Sequence, residues 1–346
     1  ADKLVTFYGD TLYDIARNND IERLLPILGE EVAQRVIAGL KQYEELGALR
    51  LLDDLGVPPY IGDSVISIWQ QQAYEQIKKN PYFLTAFMAD LSAVDAFALD
   101  RLEMKEDAPE RLIAYAKQVM FNGFNSGNTC LETSKVNYQL NRMLGKSLGS
   151  KAFDVAVKQG ELLIHDNLVQ VKSMDIVESS VASIIKHLME KTYSQALETR
   201  VDSMIDAFEL GVGFSLTEQQ RNAVLQCCTN SITLLTGGAG CGKTTVLEAI
   251  CYVLESLNQT KQIILMALAG KAAQRITEVT GREAMSIAGF IHNVAPDDID
   301  EDAVIIIDEA SMVDVLSLLK VLKRVPKRGR IILAGDQEQL PPVSVG

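Results

Sequence analysis

Residues 237–244 read Gly-Gly-Ala-Gly-Cys-Gly-Lys-Thr, a Gly-x-x-x-x-Gly-Lys-Thr word between an apolar run, Ile232–Leu235, and a helical pattern starting at Lys243. Nothing else in the chain restricts its fold as strongly. Glycines at this density let the backbone curl so that its N–H groups face inward, and a helix start behind them adds positive potential. The result is a cradle for phosphate, and it works only where a strand feeds a helix. In this reading Gly238, Ala239, Gly240, Cys241, Gly242, Lys243, Thr244 and Thr245 line the phosphates of a nucleotide. Lys243 reaches the β- and γ-phosphates, and the Thr244 hydroxyl serves Mg²⁺.

The rest of residues 211–346 keeps the same rhythm. Strand-like runs at Ile232–Leu235, Gln262–Ala267, Ala303–Ile307 and Arg330–Leu333 alternate with helices expected at Lys243–Leu257, Gly270–Val279 and Met312–Leu322. Strands apolar along their whole length imply a parallel sheet covered on both faces. The third run delivers Asp308 and Glu309 at its end, where open α/β sheets bind ligands. Asp308 suits Mg²⁺, and Glu309 suits a general base that orients and deprotonates an attacking water. The fourth run leads into Gly335-Asp336-Gln337-Glu338-Gln339-Leu340-Pro341-Pro342-Val343, where Gln339 is the candidate to sense a γ-phosphate. The acidic stretch from Asp297 to Asp302 reads as solvated surface.

Upstream the patterns are helical. Apolar residues recur at helical spacing in Leu24–Leu28, Val32–Leu40 and Val65–Tyr74, with breaks at Gly29, at Gly56 with Pro58–Pro59, and at Asn80–Pro81. A helix over Pro109–Phe121 is expected, with Asp107 as its cap. Helices at Ser134–Leu144 and Lys151–Lys158 precede strands at Glu161–Ile164 and Leu168–Val171 around a His165-Asp166-Asn167 turn. That succession fits a winged-helix module, and equally a helical packing domain with one hairpin. Helices at Ile176–Glu190 and Tyr193–Phe208 connect it to the phosphate-loop region. The organisation is therefore a helical region over residues 1–125, a winged-helix-like connector over 126–210, and an α/β phosphate-loop domain over 211–346.

Charge and cysteines narrow the function classes. The net charge is −13, so the chain as a whole has no pull toward a phosphate backbone. Residues 1–210 carry 21 Lys/Arg against 31 Asp/Glu, and residues 211–346 carry 12 against 15. Nucleic acid must be held by local basic or backbone-amide sites. Cys130, Cys227, Cys228, Cys241 and Cys251 include no C-x-x-C, fit neither a zinc site nor a redox pair, and read as free thiols of a reducing cytoplasm. His165, His187 and His292 are scattered. No run of 18 apolar residues occurs, so no membrane span is expected.

Together, the three C-terminal motifs resemble the first motor domain of RecD-like superfamily 1B DNA helicases, the family of the exodeoxyribonuclease V alpha subunit. The resemblance rests on Asp308-Glu309-Ala310-Ser311-Met312-Val313-Asp314 and on Gly335-Asp336 followed by Gln339-Leu340-Pro341-Pro342-Val343 and Gly346. Leu216-Thr217-Glu218-Gln219-Gln220-Arg221-Asn222-Ala223-Val224 is similar to that family's adenine-reading segment. It implies Gln220 as the base contact, or Gln219 on a one-residue shift. More weakly, Tyr8-Gly9-Asp10, Gly29-Glu30-Glu31-Val32-Ala33, Asn80-Pro81-Tyr82-Phe83-Leu84, Asp107–Leu112 and Gly127–Leu131 resemble the helix-hairpin-helix region of the longer members.

The resemblance implies a RecA-like fold, ATP and Mg²⁺ as cofactors, single-stranded DNA as track, 5′ to 3′ movement, a role in repair or recombination, and helicase–nuclease partner subunits. Three departures qualify it. The hairpin words Ile27-Leu28-Gly29 and Leu91-Ser92-Ala93-Val94-Asp95 lack the Gly-apolar-Gly of a phosphate-gripping hairpin, which favours a structural role. Leu268-Ala269-Gly270-Lys271-Ala272-Ala273 stands where the family has Pro-Thr-Gly, leaving Gly270 and Lys271 as the DNA contacts. Ser286-Ile287-Ala288 replaces Thr-Ile-His. The third motif runs directly into Gly346, and no second motor domain is expected within residues 1–346. By itself this chain is then expected to bind nucleotide weakly and not to unwind DNA. The alternatives are a non-helicase phosphate-loop ATPase, the motor of a conjugative relaxase-helicase, and a non-catalytic DNA-binding module on the N-terminal hairpins.

Overall fold

The computed structural model describes residues 7–8, 11–54, 59–190, 195–238, 240–342 and 344–345. Gly9, Asp10, Gly56, Pro58, Tyr193, Ala239, Val343 and Gly346 lie outside the described residues. The chain divides into two compact units, Ala1–Val119 with Ser134–Leu162, and Met120–Thr133 with Leu163–Gly346.

The first unit is helical. Its helices are α1 (Thr11–Arg17), α2 (Ile21–Leu24), α3 (Glu30–Asp54), α4 (Pro59–Trp69), α5 (Ala73–Lys79), α6 (Leu91–Asp100), most of α7 (Pro109–Phe124), α8 (Thr133–Leu144) and α9 (Lys146–Lys158). One cluster buries Leu12, Ile15, Leu24, Ala33 and Ile37, and a second buries Val65, Ile77, Leu84, Leu91 and Val94. The expected break at Asn80–Pro81 is a capped 3₁₀ turn. Asn80 accepts the Tyr82 N–H at 3.1 Å, and Pro81 opens the turn, which runs to Phe87. Asp107, expected as a helix cap, pairs with Lys151 Nζ at 2.6 Å.

The most polar part of that interior is a closed ion cluster. Asp95 takes Arg111 Nε at 2.8 Å and Nη2 at 2.9 Å. The same carboxylate accepts the Tyr82 hydroxyl at 2.6 Å and the Tyr115 hydroxyl at 2.7 Å. Arg111 Nη1 donates to the Glu106 carbonyl. Burial raises the Asp95 pKa, but hydrogen bonds from Arg111, Tyr82 and Tyr115 more than offset it and hold the group below its usual range.

The second unit holds two sheets. In the smaller, β1 (Leu131–Glu132), β2 (Leu162–His165) and β3 (Leu168–Val171) lie in the order β1-β3-β2, with Leu131 opposite Val169 in antiparallel register. The turn uses Asp166 at φ +56°, and the Asn167 carbonyl accepts the Thr133 N–H and hydroxyl. Two long helices come next, α10 (Lys172–Met189) and α11 (Gln195–Val212).

The larger sheet grows from α12 (Glu218–Thr229), β4 (Ile232–Thr236), α13 (Lys243–Ser256), β5 (Ile263–Ala267), α14 (Gly270–Thr280), β6 (Ala284–Ser286), α15 (Ile287–Asn293), β7 (Val304–Asp308), α16 (Val315–Leu322) and β8 (Arg330–Gly335). Its five strands are all parallel, in the order β4-β8-β7-β5-β6. Successive residues of an apolar strand face opposite sides. Leu265, Ala267, Val304, Ile306, Ile332 and Ala334 accordingly join one core with α11, α12 and α13, while Ile264, Met266, Ile305, Ile307 and Ile331 join another with α10, α15 and α16. The parallel α/β sheet expected from the continuous apolar runs is the one observed, and it is consistent with the RecA-like fold that the resemblance implies.

Differences from expectation concern short elements and helix starts. The two- and three-residue strands β1 and β6 had no periodic signal to reveal them. Helix α16 opens at Val315 rather than Met312, because Asp314 caps it by accepting the Ser317 N–H at 2.9 Å. The preceding Ala310–Met312 forms a separate 3₁₀ turn. Helix α9 opens five residues before Lys151, after Gly145 at φ +81°.

Candidate nucleotide site

The strand order decides where the motifs meet. β4 carries the phosphate loop, β7 the acid pair, and β8, which lies between them, the Gly335-Asp336 word. Register pairs Thr236 with Gly335 and Ala267 with Asp308, so all of these ends emerge at one edge of a parallel sheet. That edge is where parallel α/β sheets bind ligands.

The loop's conformation derives from its glycines. Gly240 and Gly242 stand at φ +78° and +82°, a region that side chains disfavour. Gly242 is the N-cap of α13 and offers no side-chain cap, leaving the first N–H groups of that helix free to meet a ligand. A Cβ on Gly237 would lie 2.5 Å from Cys241 Sγ. The Gly237 N–H donates to the Gly335 carbonyl at 3.2 Å, tying the loop's first residue to the middle strand. Lys243 Nζ donates to the carbonyls of Gly237 and, at 3.0 Å, Gly238. Thr244 and Thr245 follow in the first turn of α13, half-buried.

Asp308 ends β7, and its Oδ1 accepts the Glu309 N–H at 2.9 Å. Glu309 sits at φ +56°, a left-handed conformation that a non-glycine residue rarely adopts. Such strain concentrates where a side chain must be aimed. Beyond β8, Asp336 is buried, with Oδ1 accepting the Glu338 N–H at 3.0 Å and its carbonyl accepting the Gln339 N–H at 3.2 Å. Gln339 is held there by its backbone while its side chain stays exposed.

Gln220 lies beside the loop. It is the third residue of α12 in a closed capping box with Thr217, and its Nε2 donates to the Cys241 carbonyl at 3.1 Å. Gln219, the alternative on a one-residue shift, instead lines a cleft of about 500 Å³ with Asn222, Gln226 and strand β4. The contact between Gln220 and Cys241 was not visible in sequence, because the two residues are 21 positions apart with no periodic relation.

The two DNA candidates, Gly270 and Lys271, open α14 and are exposed. They come after β5, next to β7 in the sheet. At Ser286, where the resembled family carries Thr, the side chain caps α15 by accepting the Gly289 N–H at 3.0 Å. In the hairpin words of the helical unit several amides are bonded internally. The Ala93 N–H donates to Asp90, and the Ile27 and Leu28 N–H groups donate to the Leu24 carbonyl.

All five cysteines are free thiols. Burial pushes the Cys227 thiol up to about 12 and Cys251 to about 11. Among the described residues no group of three metal-ligating side chains occurs, and no helix is long and apolar enough to cross a membrane.

Two family models match. Residues 220–345 match an AAA domain, and residues 41–130 match the helix-hairpin-helix domain of ATP-dependent RecD2 DNA helicase. The ATP-dependent RecD2 DNA helicase of Deinococcus radiodurans is 26% identical over 100% of this chain and 51% of its own length. The RecBCD enzyme subunit RecD of Mycolicibacterium smegmatis is 25% identical over 76% of this chain and 52% of its own. That of Buchnera aphidicola is 31% identical over 37% of this chain and 25% of its own. The chain thus spans about half the length of the first two relatives. With a RecD2-type helical match upstream, an AAA-domain match downstream and a RecD2 relative across the whole length, the chain is similar throughout to the N-terminal part of RecD-like superfamily 1 helicases.

Proposed function

We propose that this chain is the nucleotide-binding part of an ATP-dependent DNA helicase that moves 5′ to 3′ on single-stranded DNA in repair or recombination. The observation that carries the proposal is the common sheet edge shared by the phosphate loop, the acid pair and the Gly335–Gln339 loop.

Each role rests on the chemistry of its group. Backbone N–H groups of residues 238–245 and Lys243 hold the triphosphate, and the Lys243 ammonium exchanges the Gly237 and Gly238 carbonyls for phosphate oxygens. The Thr244 hydroxyl and Asp308 carboxylate are a hard-oxygen donor set of the kind Mg²⁺ takes, and they would hold it. The bound ion would neutralise charge on the β- and γ-phosphates. Glu309 takes the proton of the attacking water. Gln339 contacts the γ-phosphate and is released with it. Gln220 or Gln219 meets the base.

For DNA, the free N–H groups at Gly270 and the Lys271 ammonium suit a strand phosphate. The internally bonded amides of the helical unit's hairpins support a packing role for that region. Unwinding requires a second motor domain to close on ATP. Partner subunits of a helicase–nuclease assembly are proposed for the longer protein.

The test is calorimetric binding of Mg-ATP to this chain, followed by strand displacement by the longer protein on 5′- and 3′-tailed duplexes. Binding here and displacement from the 5′ tail are expected. Binding and hydrolysis without displacement by the longer protein would favour a non-helicase ATPase.

A further inference from the structure

We infer that Gln220 positions the phosphate loop, holding the Cys241–Gly242 peptide in its ligand-binding orientation. This inference rests on the reading of the sheet edge as a nucleotide site.

The Gln220 carboxamide is fixed at its oxygen end. Oε1 accepts the Thr217 N–H at 3.0 Å, while the Gln220 N–H donates to Thr217 Oγ1 at 3.2 Å. The segment carrying this box is itself pinned to α11. Glu209 accepts the Leu216 N–H at 2.8 Å and pairs with Arg221 at 2.9 Å, and Arg221 also pairs with Asp206 at 2.7 Å. With the oxygen end and the helix start both held, the NH₂ end has one direction to take, and it meets the Cys241 carbonyl.

That contact acts on the loop through the peptide plane. Cis peptides are absent among the described residues, and in a trans peptide the carbonyl and the next N–H point to opposite sides. Drawing the Cys241 carbonyl toward Gln220 therefore turns the Gly242 N–H away from it. In a loop that binds phosphate with backbone donors, the direction of each N–H decides whether the ligand can use it. The approach is close. A Cβ at Gly242 would lie 2.6 Å from Gln220 Nε2, so the glycine serves both the φ of +82° and the amide packed against it.

A residue that touches only the base and one that positions the loop differ in their effect on a ligand without a base. The experiment titrates Mg-tripolyphosphate and Mg-ATP into this chain and into Gln220→Met, Gln220→Glu and Thr217→Ala. Met removes the donor without adding charge, and Glu keeps the capping box while removing the donor. Loss of one hydrogen bond of this kind corresponds to about a 3- to 10-fold change. The expected result is weakening of that size for tripolyphosphate and ATP alike in both Gln220 variants. Thr217→Ala should stay within about twofold, and the Gly242 amide resonance should shift in Gln220→Met but not in Thr217→Ala. Unchanged tripolyphosphate affinity with weakened ATP would overturn the inference in favour of a base contact. Equal weakening by Thr217→Ala would overturn it in favour of helix capping. Failure of the unsubstituted chain to bind either ligand would overturn the nucleotide-site reading itself.

Discussion

The Gly335 carbonyl accepts the Gly237 N–H at 3.2 Å, joining the last residue of β8 to the first residue of the phosphate loop. On its other side Gly335 faces the turn after the acid pair, where an added Cβ would meet the Ser311 N atom at 3.0 Å. One small residue thus touches both halves of the site. Gly335→Ala should force that turn or the strand end to shift. We expect a loss of about 1–3 kcal/mol in urea unfolding, the usual range for overpacking, together with weaker Mg-ATP binding by calorimetry. Wild-type stability and affinity would show that the turn gives way freely.

Lys243 and Glu309 should separate binding from chemistry. Lys243→Met removes the ammonium and should abolish measurable Mg-ATP binding by this chain. Glu309→Gln keeps the shape and removes the carboxylate proposed as the base. In the longer protein it should retain nucleotide binding while ADP release falls about 10²- to 10⁴-fold. Hydrolysis unaffected by Glu309→Gln would assign the base elsewhere.

The cluster around Asp95 predicts acid sensitivity of the helical unit. Because the folded carboxyl titrates below its usual 3.8, its stabilisation is present above that pH and is lost as pH falls through the folded value. Urea midpoints recorded between about pH 2 and 6 should drop at the acid end, and less steeply in Asp95→Asn. Arg111→Met leaves a buried carboxylate unpaired and should cost about 3–5 kcal/mol at neutral pH. A cost near zero would mean that the two tyrosines suffice.

The thiols should divide by burial. Cys227, Cys228 and Cys251 are buried with raised pKa values, whereas Cys241 is exposed in the phosphate loop and Cys130 is half-exposed. A maleimide at neutral pH should label Cys241 and Cys130 in the native chain and all five only after denaturation. Mass mapping reads the sites. Mg-ATP should slow labelling of Cys241 and leave Cys130 unchanged.

Much of the candidate site was legible because its signals are local. The glycines of 237–242, the apolar run before them and the helix behind them are contiguous, so backbone preference and periodicity alone predict strand, loop and helix. The Asp308-Glu309 pair was legible for the same reason, standing at the end of five consecutive apolar residues from Ala303. Helix α16 shows the limit. Apolar spacing runs through Met312, yet the Asp314 side chain restarts the helix three residues later, because a cap that bonds the Ser317 N–H outweighs an apolar match.

By itself, the sequence determined that a phosphate loop exists, which strand and helix carry it, and that both faces of its sheet are covered, since each depends on neighbours within a few residues. The tertiary structure alone decided that β8 lies between β4 and β7, that Gly335 touches both the loop and the acid turn, that Gln220 reaches the Cys241 carbonyl, and that Asp95 finds Arg111. Those relations join residues 16 to 98 positions apart, as with Asp95–Arg111 and Gly237–Gly335. No local periodicity encodes such pairs. They form only when burying apolar surface and pairing most buried polar groups leaves one arrangement of the chain.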